Sequence, residues 1–311
     1  MRQAGLEPSG FRHEALFYVD DDELLAGLLP AVREALARDA GVLIALPRSS
    51  ARVMREGLGP AAHDVTFADM ERLGRNPGRI IPAWRDFVRA HAGNGNPPLG
   101  IGEPAWKGRS EEELVECSRH EALLNIAFGP GPQWRLVCPY DASRLEPEVL
   151  ERARHTHPHL VEHGEPAEHE FHRLPPGDEP LPAAAGEPVE RAFGPGDLAR
   201  IREFVTRRGT EAGMPPPRLA DLVLAVDELA TNTLRYTQTG GILRMWREED
   251  SLLCEVADHG HIADPLAGRE LPPPERPGGR GLWLVNQLCD LVQLRSSRGR
   301  SVVRVHMRLD G

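Results

Sequence analysis

Residues 219–232 read Leu219-Ala-Asp-Leu-Val-Leu-Ala-Val-Asp-Glu-Leu-Ala-Thr-Asn232. Their apolar side chains recur at about 3.6 residues, which predicts an amphipathic helix, and we place it over 217–237. Glu228 and Asn232 fall on the opposite face, one turn apart. A carboxylate there can take a proton from an attacking hydroxyl, and an amide oxygen suits Mg²⁺. A solvated polar helix face is the alternative explanation.

Two later segments carry the same kind of chemistry. The first is Asp258-His-Gly260, where an apolar run ends in an acid that can accept a hydrogen bond from the amine of adenine. Gly260 allows the backbone to approach a ring closely, although Asp and Gly are also common in ordinary turns. The second is Gly279-Arg-Gly281-Leu282, where glycines precede a helix whose first N–H groups favour phosphate.

The order of elements around these segments predicts an α+β sandwich. Two helices come first and strands then dominate, a grouping that is typical of helices packed on one face of a sheet. The predicted helices are 197–212, 217–237 and 281–289, and the predicted strands are 189–193, 242–247, 252–258, 292–296 and 302–307.

The three segments resemble the N, G1 and G2 boxes of the GHKL (Bergerat-fold) ATPases, in the branch of the anti-sigma-factor serine kinases. The resemblance covers about 190–309 and implies that the domain binds ATP or ADP with Mg²⁺. It implies that Asn232 coordinates the metal and that Asp258 recognises adenine. It also implies a base role for Glu228 toward a serine. The remaining box residues would contact the nucleotide: Gly260, Gly279, Arg280, Gly281 and Leu282.

Two departures from the pattern leave two functions open. His261 stands where the G1 box often has a second glycine, and Pro277 stands about where related kinases carry an arginine, with Arg276 beside it. The first function is a regulator that sequesters a sigma factor or phosphorylates a serine on an anti-sigma-factor antagonist. The second is a non-catalytic, nucleotide-dependent binding module. A histidine autokinase is disfavoured, since the proline-rich segment after Gly164 cannot supply its helical hairpin.

The N-terminal part predicts a mostly parallel α/β domain. Apolar runs alternate with helical patterns, as in parallel sheets that are covered on both faces. The predicted strands are 15–19, 42–46, 99–103 and 134–140, with helices at 22–39 and 110–128.

This part resembles the MEDS sensory domains, a RecA-like α/β family without a P-loop. The resemblance rests on His13-Glu-Ala-Leu-Phe-Tyr, Gly102-Glu-Pro-Ala-Trp106 and Glu121-Ala-Leu-Leu-Asn125. It implies a domain that senses a small ligand, with a pocket lined by His13, Glu103, Trp106, Glu121 and Asn125. Core or capping roles for His13 and Trp106 are the alternative.

Composition sets the domain boundaries and excludes several classes of protein. The proline-rich segment 164–188 has few large apolar residues and predicts a linker between a sensory domain at 11–163 and an ATPase domain at 189–311.

A net charge of −10 argues against direct nucleic-acid binding. Four scattered cysteines and no long apolar stretch predict a cytoplasmic protein without a membrane segment. A homodimer is compatible with the sequence.

Histidines cluster just before the predicted linker. His155, His157 and His159 alternate, and three more follow within thirteen residues: His163, His169 and His172. An extended segment with this spacing could present several imidazoles to one ion, but a polar domain edge that runs into a linker is the favoured explanation. Whether this segment binds a metal is left open by the sequence.

Overall fold

The computed structural model describes residues 10–93, 95–162, 165–167, 179–237, 239–272 and 279–310. The chain divides into two compact units, Met1–Pro176 and Gly177–Gly311. Within the described residues, none of the helices combines the length and the apolar character that a bilayer span needs.

The N-terminal unit is built on a seven-stranded sheet. Its elements are β1 (Phe11–Tyr18), α1 (Asp21–Ala37), β2 (Val42–Leu46), α2 (Arg48–Leu58), β3 (Thr66–Asp69), α3 (Met70–Leu73), α4 (Ile80–His91), β4 (Leu99–Gly102), α5 (Glu111–Phe128), β5 (Trp134–Asp141), α6 (Pro147–Thr156), β6 (His159–Glu162) and β7 (Glu165–Ala167). The strand order is β3-β2-β4-β5-β1-β6-β7, and each neighbouring pair is parallel except β6 and β7. The expectation of a mostly parallel α/β sheet is confirmed.

The centre of this sheet brings polar residues into the core. Strand β1 begins at Phe11, earlier than predicted, because Arg12, His13 and Glu14 interrupt the apolar run that marks a buried strand. Glu14 is buried between the guanidinium groups of Arg12 and Arg135, whose Nη2 lies 2.7 Å from its carboxylate. Opposite charges thus allow a polar sequence to occupy a central strand.

Helix α5 packs against the central strands and begins with a capping box. The Ser110 hydroxyl accepts from the Glu113 N–H at 3.3 Å, and the Glu113 carboxylate accepts from the Ser110 N–H at 3.0 Å. This reciprocal pair satisfies two N–H groups that a helix end leaves without partners. It therefore fixes the start of the helix that carries Glu121 and Asn125.

The C-terminal unit has one five-stranded antiparallel sheet with helices packed against it. Its elements are β8 (Val189–Phe193), α7 (Leu198–Glu211), α8 (Pro216–Tyr236), β9 (Gly241–Glu248), β10 (Ser251–Asp258), α9 (Arg280–Leu288), β11 (Leu291–Ser297) and β12 (Arg300–Arg308), with the strand order β11-β12-β10-β9-β8. Helix α8 contributes Leu222, Val226 and Ala230 to the core between helices and sheet. The predicted grouping of helices against a sheet is confirmed, and the structure shows that its strands are antiparallel.

Part of the segment predicted as a linker lies against the outer face of this sheet. The Arg304 guanidinium donates to the Pro182 carbonyl at 2.8 Å, and the Ala185 N–H donates to Glu248 at 3.2 Å. Arg295 donates to the carbonyl of Glu179 at 3.1 Å. Residues 179–188 are therefore attached to the C-terminal unit. Within the predicted linker, Gly164 and residues 168–178 lie outside the described residues.

Candidate functional site

The polar face of helix α8 opens onto a cavity of about 310 Å³ between α8, the end of β10 and α9. This volume lies at the lower end of the range of about 300–1,000 Å³ that small-molecule sites occupy. Five of the predicted nucleotide residues line it: Asn232, Asp258, Gly260, Gly279 and Leu282. The three predicted segments thus meet at one place.

Asp258 is held in place by two hydrogen bonds. The Thr233 hydroxyl donates to Oδ2 at 2.6 Å, and the Gly260 N–H donates to Oδ1 at 2.8 Å. A carboxylate has about four acceptor positions, so both oxygens can still accept a bond from a ligand. Thr233 was missed by the sequence analysis, although it directly follows Asn232 and is a buried polar residue on an otherwise apolar helix face.

Glu228 and Asn232 lie against the first turn of α9. A β-carbon added at Gly281 would lie 2.6 Å from Oε2 of Glu228 and 3.0 Å from Nδ2 of Asn232. Only a glycine allows this approach of α9 to the two side chains without displacing them. The structure therefore joins the predicted base and the predicted metal ligand to the glycine-rich helix start.

The start of α9 provides backbone donors without a capping side chain. Its N-cap residue, Gly279, has a positive φ of 84°, a conformation that glycine adopts without strain, and no side chain caps the helix. The first N–H groups of a helix have no partners inside the helix, and they favour anions. Arg280 is exposed. Arg276 and Pro277 lie outside the described residues.

The loop between β10 and α9 forms one wall of the cavity, a role that no sequence motif indicates. Asn286 on α9 donates to the carbonyl of Gly268 at 3.1 Å and so fixes the loop to the helix. His261 also lines the cavity, with its Nδ1 3.4 Å from the Ser296 hydroxyl. A histidine at the second G1 position is therefore accommodated at the cavity wall.

A larger cavity of about 550 Å³ lies on the outer face of the same sheet, beside residues 180–188. Two of the arginines that line it, Arg304 and Arg244, already pair with Glu255 at 2.7 and 3.1 Å. It contains none of the predicted nucleotide residues. The smaller cavity is therefore the candidate nucleotide site.

The residues of the predicted sensory pocket separate into different environments. Three of them come together: Nδ1 of His13 is 3.1 Å from Oδ1 of Asn125, and Nε2 of His13 is 2.9 Å from Oε2 of Glu121. Glu103 instead accepts a hydrogen bond from the Tyr18 hydroxyl at 3.0 Å. Trp106 stacks under the Arg109 guanidinium, 3.7 Å from the ring centre.

Two residues that the sequence analysis did not assign to the pocket complete the group around Glu121. Nε2 of His157 lies 3.2 Å from Oε2 of Glu121, and Sγ of Cys138 lies 3.6 Å from the same oxygen. Together, His13, Glu121, Cys138 and His157 offer four ligand atoms within 4.8 Å of one another. We call these four residues the HECH cluster.

The histidine-rich segment contributes one residue to the HECH cluster. His155 belongs to helix α6 and not to an extended segment, and its imidazole lies 3.5 Å from Glu151. His157 directly follows α6 and is buried, and His159 lies on β6. The three later histidines fall outside the described residues: His163, His169 and His172.

Burial dominates the electrostatics of this region. It lowers the pKa of His13, and the nearby His157 lowers it further. Burial raises the pKa of the Cys138 thiol, as does the neighbouring Glu121 carboxylate. Burial alone would raise the pKa of Glu121, but its contacts with His13 and His157 hold that pKa below its usual range. Burial also raises the pKa of Glu103 to about 8.

Comparison with known protein families matches both parts of the chain. The family model of the MEDS domain (methanogen/methylotroph, DcmR sensory domain) matches residues 12–158. The model of the histidine kinase-like ATPase domain matches residues 192–307. The chain combines a MEDS domain with a histidine kinase-like ATPase domain. These matches support a signalling regulator that binds nucleotide.

No curated protein matches the chain. Among the solved structures that match is the Acinetobacter baumannii histidine kinase AdeS, at 12% identity and a TM-score of 0.25. That match covers 40% of this chain and 68% of the AdeS chain. The MEDS domain contains the HECH cluster, and the ATPase domain contains the candidate nucleotide site.

Proposed function

We propose that the chain is a signalling switch whose ATPase domain binds ATP with Mg²⁺ and controls a sigma factor. It does so by sequestering the sigma factor or by phosphorylating a serine on an anti-sigma-factor antagonist. The MEDS domain senses a ligand or partner and regulates this output. We further propose a Bergerat fold for the ATPase domain and a RecA-like fold for the MEDS domain.

The observation that carries the proposal is the convergence of Asn232, Asp258 and Gly279, one from each predicted segment, at one cavity. Asp258 would accept the amine of adenine, and the uncapped start of α9 would face phosphate. Asn232 supplies an oxygen of the kind that Mg²⁺ prefers. The absence of a side chain at Gly281 lets the start of α9 lie close to Glu228 and Asn232, because a methyl there would displace both side chains.

Glu228 is the proposed base for serine phosphorylation. It lies one helical turn from Asn232 on α8, so the proposed proton acceptor and the proposed metal ligand are on the same face of the helix. Such a carboxylate could orient a serine hydroxyl and take its proton as the phosphoryl group transfers.

Nucleotide binding is tested by calorimetric titration of the full chain with ATP and ADP. In Asp258→Asn, an N–H would replace an acceptor oxygen opposite the adenine amine, so we expect affinity to fall at least about tenfold, or 1.4 kcal/mol. The matched control is Asp250→Asn in the exposed turn between β9 and β10. Equal affinity for both variants, or no binding by the parent chain, would refute the nucleotide site.

Phosphoryl transfer is tested with labelled ATP, Mg²⁺ and antagonist proteins from the same genome. We expect Glu228→Gln to abolish transfer while it retains ATP binding, because the amide keeps the size of the side chain but cannot accept the proton. Asp227→Asn is the control, since its carboxylate pairs with Arg202 at 2.8 Å on another face of the same helix. Transfer by Glu228→Gln at the parental rate would refute the base role.

The non-catalytic module remains the second candidate, because His261 occupies a position in the cavity wall where the G1 box often has glycine. It predicts tight ATP binding without phosphate transfer, and nucleotide-dependent capture of the sigma factor. The same labelled-ATP assay distinguishes the two, since only the kinase transfers label.

A further inference from the structure

The HECH cluster is fully enclosed in the MEDS domain. Each of its four side chains is at most 1% exposed. They come from four places in the sequence: His13 from β1, Glu121 from α5, Cys138 from β5 and His157 from the residue after α6. A buried group of this composition needs partners for every polar atom, because an unsatisfied one costs about 1–3 kcal/mol.

Hydrogen bonds at the far side of each imidazole fix where its proton lies. Nδ1 of His157 is 2.8 Å from the carbonyl oxygen of Ala153, so this nitrogen must carry the hydrogen. Asn125 donates its amide N–H to the Thr156 carbonyl at 2.7 Å, which turns its oxygen toward Nδ1 of His13. Nδ1 of His13 must therefore be the donor as well.

A neutral imidazole has one N–H, so Nε2 of each histidine presents a lone pair. Both lone pairs face the same acceptor, Oε2 of Glu121, at 2.9 and 3.2 Å. The other carboxylate oxygen, Oε1, is buried and has no hydrogen-bond partner within the described part of the chain. The hydrogen-bond acceptors of His13, His157 and Glu121 therefore face one another. The Cys138 thiol can donate only one hydrogen bond to this group.

We propose that the HECH cluster binds one divalent transition-metal ion, with Zn²⁺ as the resident metal. A cation at the centre turns each facing lone pair into a ligand. The two charges of the ion balance the Glu121 carboxylate and the Cys138 thiolate, whose proton leaves to solvent on binding. One thiolate, two imidazoles and one carboxylate form a four-coordinate set that suits Zn²⁺.

The geometry is compatible with such an ion. Bonds of about 2.1 Å in a tetrahedral site place neighbouring ligand atoms about 3.4 Å apart. The ligand atoms of the HECH cluster lie within 4.8 Å of one another, and Nε2 of His13 is 3.5 Å from Sγ of Cys138. Zinc-binding histidines usually donate their other ring N–H to a carbonyl or carboxylate, which is the role of the Ala153 carbonyl and the Asn125 amide oxygen.

A site with four protein ligands, all of them buried, has the features of a structural zinc site, since catalytic sites keep one coordination position open. The ion would join β1 and β5 to α5 and to the end of α6. Of the predicted sensory-pocket residues, His13 and Glu121 would then bind a metal instead of an organic ligand, and Asn125 would position His13.

The first test measures metal in the full chain as purified, by elemental analysis, and its environment by X-ray absorption. We expect one Zn²⁺ per chain, coordinated by one sulfur and three nitrogen or oxygen atoms. A coordination shell without sulfur would overturn the proposal. So would a correctly folded chain that has no metal and does not take up added Zn²⁺, since protons would then occupy the cluster.

The second test replaces Zn²⁺ with Co²⁺, which gives intense visible bands in tetrahedral sites and a near-ultraviolet band when a thiolate is bound. We expect Cys138→Ser to lose the thiolate band and Cys117→Ser to keep it, because Cys117 is equally buried but donates to the Pro104 carbonyl. A thiolate band that survives in Cys138→Ser would contradict the assignment.

Two histidine variants provide a matched pair for affinity. His157→Gln removes a ligand, whereas His91→Gln removes an imidazole that makes the same contact, from Nδ1 to the carbonyl four residues earlier, at 2.9 Å. We expect only His157→Gln to weaken Co²⁺ binding. Asn125→Ala removes a positioning residue and should weaken it by about 10- to 100-fold. Equal affinities in His157→Gln and His91→Gln would overturn the ligand set.

Discussion

Glu103 shows how a residue identified from a sequence motif can have a different environment from the one expected. Its motif, Gly102-Glu-Pro-Ala-Trp106, was assigned to the sensory pocket, but the side chain bonds Tyr18, whose pKa burial raises. Motif spacing identifies important residues without showing which ones meet. Cys138 illustrates the converse, since a cysteine in an apolar strand looks like any other core residue until the fold places His13 beside it.

The pH dependence of stability should report on Glu103. Its pKa rises from 4.5 to about 8 on folding, because burial disfavours the charged form. The folded chain therefore keeps this proton while the unfolded chain loses it, so the free energy of unfolding should fall as the pH rises from about 4.5 to about 8. One pKa unit corresponds to about 1.4 kcal/mol, which makes the decline several kcal/mol.

Urea unfolding of the full chain across that pH range measures this contribution. Glu103→Gln cannot ionise, so its stability should decline less steeply than that of the parent chain. Glu111→Gln, at an exposed position at the start of α5, serves as the control and should follow the parent. Identical slopes for Glu103→Gln and the parent would show that Glu103 is not neutral in the folded chain.

Helices and strands were predicted most accurately from the sequence where their burial is uniform. Strand β2 and helices α5 and α8 agree within one or two residues, since continuous apolar runs and apolar stripes have a single interpretation. Strand β3 was missed, because it is a short strand at the sheet edge with partly exposed residues and no apolar run. The cavity wall that residues 261–272 form was not predicted. This loop is held by α9, which follows it in the chain, so the loop sequence alone does not show where it lies.

The contact between α8 and α9 predicts a specific effect of a small substitution. In Gly281→Ala, the new methyl would lie 2.6 Å from Oε2 of Glu228. Both this carboxylate and the Asn232 amide are flexible side-chain ends, so they can move at little cost to stability. We expect the melting temperature to change little, while affinity for ATP in the presence of Mg²⁺ falls at least about tenfold.

Gly194→Ala is the matched control, because a β-carbon there meets open space. Titrations with ATP alone and with ATP and Mg²⁺ separate the two contributions, since a displaced Asn232 affects the metal-dependent part. Unchanged Mg²⁺-dependent affinity in Gly281→Ala would argue against a metal ligand at this contact.

The whole molecule combines two compact units, each with its own proposed ligand. A ligand that binds only the folded state stabilises the unit that holds its site, by about 2.7 kcal/mol at a concentration 100 times its dissociation constant. We expect two calorimetric transitions. ATP with Mg²⁺ should raise the midpoint temperature of one, and a strong zinc chelator should lower the midpoint temperature of the other. If both treatments moved the same transition, the two sites would not belong to separate folding units.

The attachment of residues 179–188 to the sheet has a practical consequence for dissecting the protein. A fragment cut at Val189, where regular structure begins, would lose the carbonyls that Arg295 and Arg304 contact, and would uncover the Glu255 ion pairs. A fragment that starts at about Gly177 keeps them. Expression of the shorter piece should therefore yield a less soluble, lower-melting protein, even though every helix and strand of the ATPase domain is present.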